Sequence, residues 1–454
     1  MSILKVLLPI AIMIIIILGK KIPKIGGNLY VALVSAGLLA LLMGGVFNPL
    51  TWLSAWLDGV NRLAWVMMLS IFGTIYAETQ ISMGTMDTVL GVCRATFGRS
   101  PRGLLVAIMI SLALAGSLLG DAIAVSTVVG ILIIKPLADM GLKAEEISAT
   151  LVMGALLGSV CPPISGAVFQ AAGLLGVNPD DAAKASYATA IAAIVLSCIY
   201  AAYSFVHIKS LPEELIPKES AGQIFRRGWI SMIPMGILIL TVILRTGPWE
   251  IDLAAMIYAP LIKVVQDIPI LQGLNNMTLL AVFSVTVISF ISPKVRKRGV
   301  KDIVKTGFKN VLPCTAVQIA AGFMLGGFYA SGLIDTVAAF AQTLNIHALK
   351  LGGTAAMCLV GMLTGSQSTA QSAILSFFGP ALVSSGLDPV KVAAAGAQIA
   401  TAGQAMPPAD LATFVVAGLV GGILNVKVDS VKSMIKSAPG FLFLLAGGLL
   451  LLYI

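Results

Sequence analysis

The chain has 454 residues, of which 58% are hydrophobic and only 11% charged, with a formal net charge of +9. An average soluble domain is about 25% charged, so this composition excludes a single water-soluble globule and predicts an all-α integral membrane protein. The basic residues gather in short loops at 20–24, 94–102, 207–227 and 294–309, which the positive-inside rule assigns to the cytoplasm without any nucleic-acid partner.

In chain order, residues 3–18 form a first apolar span. It is followed by Gly19 and by Lys20, Lys21 and Lys24, with no small-residue cleavage pattern, so it is expected to be retained. Further spans are expected at 27–46, 62–93 (long or broken), 103–118, 146–178, 183–205, 229–245, 274–292, 311–332, 351–364, 391–423 and 437–454. Residues 207–228 carry both charge signs and two prolines, and read as a surface linker. Residues 292–310 read as a basic amphipathic helix at the membrane interface. Cys93, Cys161, Cys198, Cys314 and Cys358 are scattered without redox or metal-ligand spacing, and His207 and His347 lie far apart. No clustered constellation suggests an enzyme, a structural metal or an organic cofactor.

An internal repeat organises the rest. Gly120, Gly141 and the pair Pro162-Pro163 recur 245 positions later as Gly365, Gly386 and the pair Pro407-Pro408. The expected architecture is therefore two repeats of inverted topology, 1–206 and 229–454, joined by the 207–228 linker. Each holds a re-entrant helical hairpin, at about 115–140 and about 361–386, and a helix interrupted by its prolyl pair, at about 146–178 and about 391–423.

Irregular backbone survives in hydrocarbon only against protein or a water-filled cavity, so paired breaks point to a transport site. Two tracts rich in small polar residues, "GDAIAVSTVVG" (120–130) and "GSQSTAQSAI" (365–374), stand at the hairpins. The breaks are flanked by Ser159 and Ser165 in one half, and by Thr401, Gln404 and Asp410 in the other. Hydroxyls and freed carbonyls are hard ligands for a bare alkali cation, while half-helix N-termini offer N–H groups to a carboxylate. Asp121 is either an intramembrane carboxylate on an ion or proton pathway or a helix N-cap. Gln367, Gln371, Gln398 and Gln404 form an unusual run of amides for membrane segments, and bridging between helices is their commoner use.

These residues resemble a known family. From Trp65 to Gly173 the chain is similar to the large membrane subunit of tripartite ATP-independent periplasmic (TRAP) transporters, through "FGTIYAETQISMGTMDTVL", "FGRSPRGLLVA", "KPLADMGL" and "VMGALLGSVCPPIS". The second half is similar at "GMLTGSQSTAQSAI" and "GLDPVKVAAAGAQIATAGQAMPPADLATFVVAG". The resemblance implies an elevator-type, sodium-coupled importer of a small organic anion such as a dicarboxylate or sugar acid, with scaffold helices holding a mobile transport domain. It nominates Gly120, Ser126, Thr127, Ser159, Pro162, Pro163 and Ser165, with Gly365, Ser366, Ser368, Thr369, Thr401, Pro407 and Pro408, as ion and substrate residues. Asp121, Gln367, Gln404 and Asp410 join them on the residue-level reading. The implied setting is the cytoplasmic membrane of a bacterium or archaeon, with a small membrane subunit, an extracytoplasmic binding protein and a homodimer as expected partners. Where the family's first hairpin has a Ser-Gly-Ser-Ser-like run, this chain has Leu119-Gly120-Asp121-Ala122. That departure leaves open a stand-alone, proton-coupled organic-anion permease of the same superfamily.

Overall fold

The computed structural model describes residues 4–19, 23, 25, 28–120, 122–246, 251–265, 268–274, 277–341, 345–408 and 410–454. All regular structure among them is helical. The first stretch comprises α1 (Leu4–Leu18), α2 (Leu29–Met43), α3 (Pro49–Met83) and α4 (Thr85–Phe97). Asn48 caps α3 by accepting from the N–H of Leu50, with Pro49 in the first turn where its missing N–H costs nothing. Gly84, at φ +74, ends α3 and turns the chain into α4.

Next come α5 (Pro101–Leu119), α6 (Ala122–Asp139), α7 (Ala144–Val160), α8 (Gly166–Leu175) and α9 (Pro179–Ser204). The middle of the chain forms α10 (Ala221–Thr246), α11 (Leu253–Val265), α12 (Met277–Ser289), α13 (Pro293–Arg298), α14 (Val300–Ala330) and α15 (Leu333–Ala341). The last part forms α16 (Ile346–Thr364), α17 (Gln367–Ala370), a π-helical turn at Gln371–Leu375, α18 (Ser376–Ser384), α19 (Pro389–Ala405), α20 (Leu411–Leu424) and α21 (Ser430–Tyr453).

The helices pack as two groups. In the first, α3 lies along α14, α2 and α12 flank that pair, and α4 packs on α10. In the second, α5, α7 and α9 pack with α19 and α21, while α6, α8, α16 and α20 close around them. The groups meet where α3 touches α8, α4 touches α5 and α15 touches α18. Within the first group α3 and α14 are interlocked: a Cβ on Gly59 would sit 1.8 Å from the carbonyl oxygen of Gly322. Small residues at such positions let backbones approach, which is how membrane helices gain packing energy without a hydrophobic driving force.

Six described helices are long and apolar enough to cross a membrane, and a seventh is reached by joining Val300–Leu312 to Thr315–Ala330 across a 43° bend. This is fewer than the apolar segments in the sequence, because several apolar helices, α2, α8, α12 and α20 among them, are only 10–17 residues long. Three boundaries also differ from the sequence reading. The expected 62–93 span begins earlier, at Pro49, and breaks at Gly84. The expected interfacial helix at 292–310 is short at α13 and then runs on as α14, which bends at residues 313–314, where the sequence has Pro-Cys. The expected linker ends at Ala221, where α10 starts.

Candidate functional site

Both hairpins turn at a glycine in the left-handed region, Gly120 at φ +68 and Gly365 at φ +63, each closing its helix by donating its N–H to the carbonyl four residues back, of Gly116 and Gly361. The first turn is stitched to the first prolyl break. The hydroxyl of Ser117 donates to the carbonyl of Pro162 at 2.7 Å, and the N–H of Ile164 donates to the carbonyl of Ser117 at 3.0 Å. Ser165 then caps α8 by accepting from the N–H of Val168 at 3.2 Å. Both prolyl pairs, Pro162-Pro163 and Pro407-Pro408, have a cis bond.

The second turn is held by side chains. Ser366 caps α17 by accepting from the N–H of Thr369. The N–H of Gln367 donates to Gln404 Oε1 at 2.7 Å, and the Thr401 hydroxyl donates to Gln367 Oε1. Gln404 uses its Nε2 on Asp410 Oδ1 at 3.3 Å. Asp410 is fully buried, caps α20 and also accepts from the N–H groups of Ala412 and Thr413 and from the Thr413 hydroxyl. Every one of its partners is a donor, so a buried carboxylate is fully engaged as an acceptor.

Between the two helix groups lies a cavity of about 300 Å³. Of the residues nominated from sequence, Gly120, Ser159, Gly365, Ser366, Gln367, Ser368 and Gln404 line it. Pro162, Pro163, Ser165, Thr401, Pro407, Pro408 and Asp410 stand in the breaks or one bond behind that lining, and Thr369 is buried in the second hairpin. Ser126 and Thr127 are not in the lining. The Ser126 hydroxyl is buried 3.5 Å from the Leu151 carbonyl on α7, and Thr127 donates to the Ile123 carbonyl in its own helix. Asp121 lies outside the described residues.

Several lining residues were not nominated. Ser70 and Thr74 come from α3, and Asn310 and Gln318 from α14, so the first group supplies a polar wall of its own. Gln170 on α8 links the halves: its Nε2 donates to the Ser368 carbonyl at 3.0 Å and to the Ser372 hydroxyl at 3.1 Å. The available signal was an isolated amide in an apolar run, which is also the signature of ordinary interhelical bridging. No described lining residue carries a charge. The cavity instead offers hydroxyls, amides and the first turns of α6, α8 and α20, a set that can hold a small anion by N–H donation and a bare cation by oxygen ligation.

A family model described as "Tripartite ATP-independent periplasmic transporter, DctM component" matches residues 24–454. Two solved structures share the fold. The YdaH transporter of Alcanivorax borkumensis is 16% identical, with a TM-score of 0.56, over 93% of this chain and 96% of that one. MtrF of Neisseria gonorrhoeae, described as illuminating a class of antimetabolite efflux pumps, is 13% identical, with a TM-score of 0.59, over 94% of each chain. A search of curated proteins finds no match.

Proposed function

The chain belongs to the DctM component family of tripartite ATP-independent periplasmic transporters, and on that premise we propose that it is a sodium-coupled importer of a small organic anion. The observation that carries this reading is the cavity between the helix groups, walled by both hairpin turns on one side and by α3 and α14 on the other. In this reading the first group is the scaffold, and the second moves past it as an elevator, carrying its cargo against the polar wall. A carboxylate of a dicarboxylate or sugar acid takes the N–H groups at the helix starts. Sodium takes the oxygens of the hairpin turns and prolyl breaks, with Ser159, Ser366 and Thr401 as nearby hydroxyls.

DctM components usually work with a small membrane subunit and a periplasmic binding protein, and both are proposed as partners here, in the cytoplasmic membrane. A proton-driven variant draws on one specific feature, the buried Asp410 carboxylate bonded to the cavity residue Gln404. The deciding experiment is uptake of labelled C4-dicarboxylates and sugar acids into proteoliposomes, under separate sodium and proton gradients, with and without the two partners. Stimulation by an inward sodium gradient is expected. Stimulation by a pH gradient alone would favour the variant, and indifference to both would sink coupled transport.

A further inference from the structure

Ion pairing separates one contact from the rest. Arg227–Glu219, Arg298–Glu78, Lys432–Asp429 and Lys436–Glu146 each stay within one helix group or its adjoining loop. Among the described residues only Arg245–Asp180 crosses between the groups. Arg245, near the end of α10, donates through Nη2 to Asp180 Oδ1 in the first turn of α9. Thr278, in the first turn of α12, completes the contact: its Oγ1 accepts from Arg245 Nη2 at 2.6 Å and donates to Asp180 Oδ1 at 2.9 Å. One helix of the second group is thereby tied by its end to two helices of the first.

The position of this contact matters. α9 has 26 residues, or about 39 Å of helix at 1.5 Å per residue. Its C-terminal end adjoins the basic loop at 207–227, so Asp180 stands at the opposite end of this candidate membrane span. The Arg245 and Asp180 side chains are only 10% and 20% exposed. A pair in water contributes little, but a buried charge that loses its partner is strongly penalised. A slide of α9 by a single helical turn, about 5.4 Å, is enough to part these groups.

We propose that Arg245, Asp180 and Thr278 form a latch that holds the two helix groups in the arrangement described here and opens when the second group travels. The proposal rests on the transporter reading, since it assigns the latch to the transport stroke. Removing both charges frees the second group without stranding either one, so the population shifts away from this arrangement.

Two measurements on the full chain in proteoliposomes test it, in a background with the native cysteines replaced. In the first, Asp180→Cys with Thr278→Cys is oxidised with copper phenanthroline and then reduced with dithiothreitol. Oxidation is expected to lower uptake about tenfold or more and reduction to restore it; a cross-linked protein that transports like its reduced form overturns the latch. In the second, Asp180→Leu with Arg245→Leu is compared with its parent by maleimide labelling of Gly73→Cys, a cavity position where an added Cβ meets nothing within 4 Å. The labelling rate is expected to change about fivefold or more, the lower end of typical coupling between two states. An unchanged rate overturns the latch. Should the unmodified protein take up no organic anion under either gradient, the transport reading fails, while the labelling comparison still reports on the latch alone.

Discussion

The two hairpin–break units solve the same problem with different chemistry. In the first, backbone and one hydroxyl do the tying: Ser117 bonds the Pro162 carbonyl and accepts from the Ile164 N–H. In the second, the chain Thr401, Gln367, Gln404 and Asp410 runs from one helix through the hairpin to the start of α20. Even the equivalent caps differ, a serine at α8 and a buried aspartate at α20. A backbone stitch is hard to modify and holds position. A side-chain network can exchange partners, and both of its glutamines face the cavity. On the proposed transport reading, the first unit is the better anchor and the second the better sensor of a bound ligand.

That comparison can be broken in steps. The largest effect is expected from Pro162→Ala with Pro163→Ala, which restores two N–H groups and lets α7 continue toward α8. Uptake should fall about 100-fold, two factors of ten at 1.36 kcal/mol each, while the amount of protein in the membrane stays near that of the parent. Normal transport by this variant would remove the break from the site. Gln404→Leu comes next, because it strands the Gln367 N–H and removes one of the two donors to Asp410 Oδ1. Leaving such groups unpaired costs about 1–3 kcal/mol, and sodium-dependent uptake should weaken more than the melting temperature does.

A smaller effect separates the caps. Asp410→Ala removes the acceptor for two N–H groups and a hydroxyl, and should lower stability more than Ser165→Ala, for which about 1 kcal/mol is expected. Thermal unfolding in detergent reads both, and equal losses would erase the contrast between the units. The smallest effect belongs to Thr127→Ala. Its hydroxyl serves only its own helix and lies outside the cavity lining, so uptake should stay within about a factor of two, as for substitutions worth under 0.5 kcal/mol. A large loss would return Thr127 to the site.

Much of the fold was legible because glycine and proline are written in the sequence. Gly120 and Gly365 turn where they were expected to, and the expected 146–178 and 391–423 segments each contain two helices flanking a prolyl pair. The first helix group was read less well. Asp58, Asn61 and Arg62 dilute the apolar signal at the start of α3, so its first turns were not read as part of the span. The basic residues of α14 resemble an interfacial helix until the tertiary partner α3 is seen beside them. For the site, residues next to a turn or break could be nominated, since the break itself is the signal. Ser70, Thr74, Asn310 and Gln318 could not, because a polar side chain on an unbroken helix does not say which neighbour it faces.

The interlocked backbones of α3 and α14 carry a mechanical implication. Helices that leave no room for a methyl group between Gly59 and Gly322 can neither slide nor rotate past each other without separating. Ser70, Thr74, Asn310 and Gln318, carried by that pair, are thereby held at fixed spacing on one wall of the cavity, like marks on a ruler. Under the proposed elevator reading, cargo is measured against that ruler only where the moving group brings the two faces together. On the same reading, selection by this wall is exercised at one end of the stroke, and release requires leaving the ruler rather than deforming it.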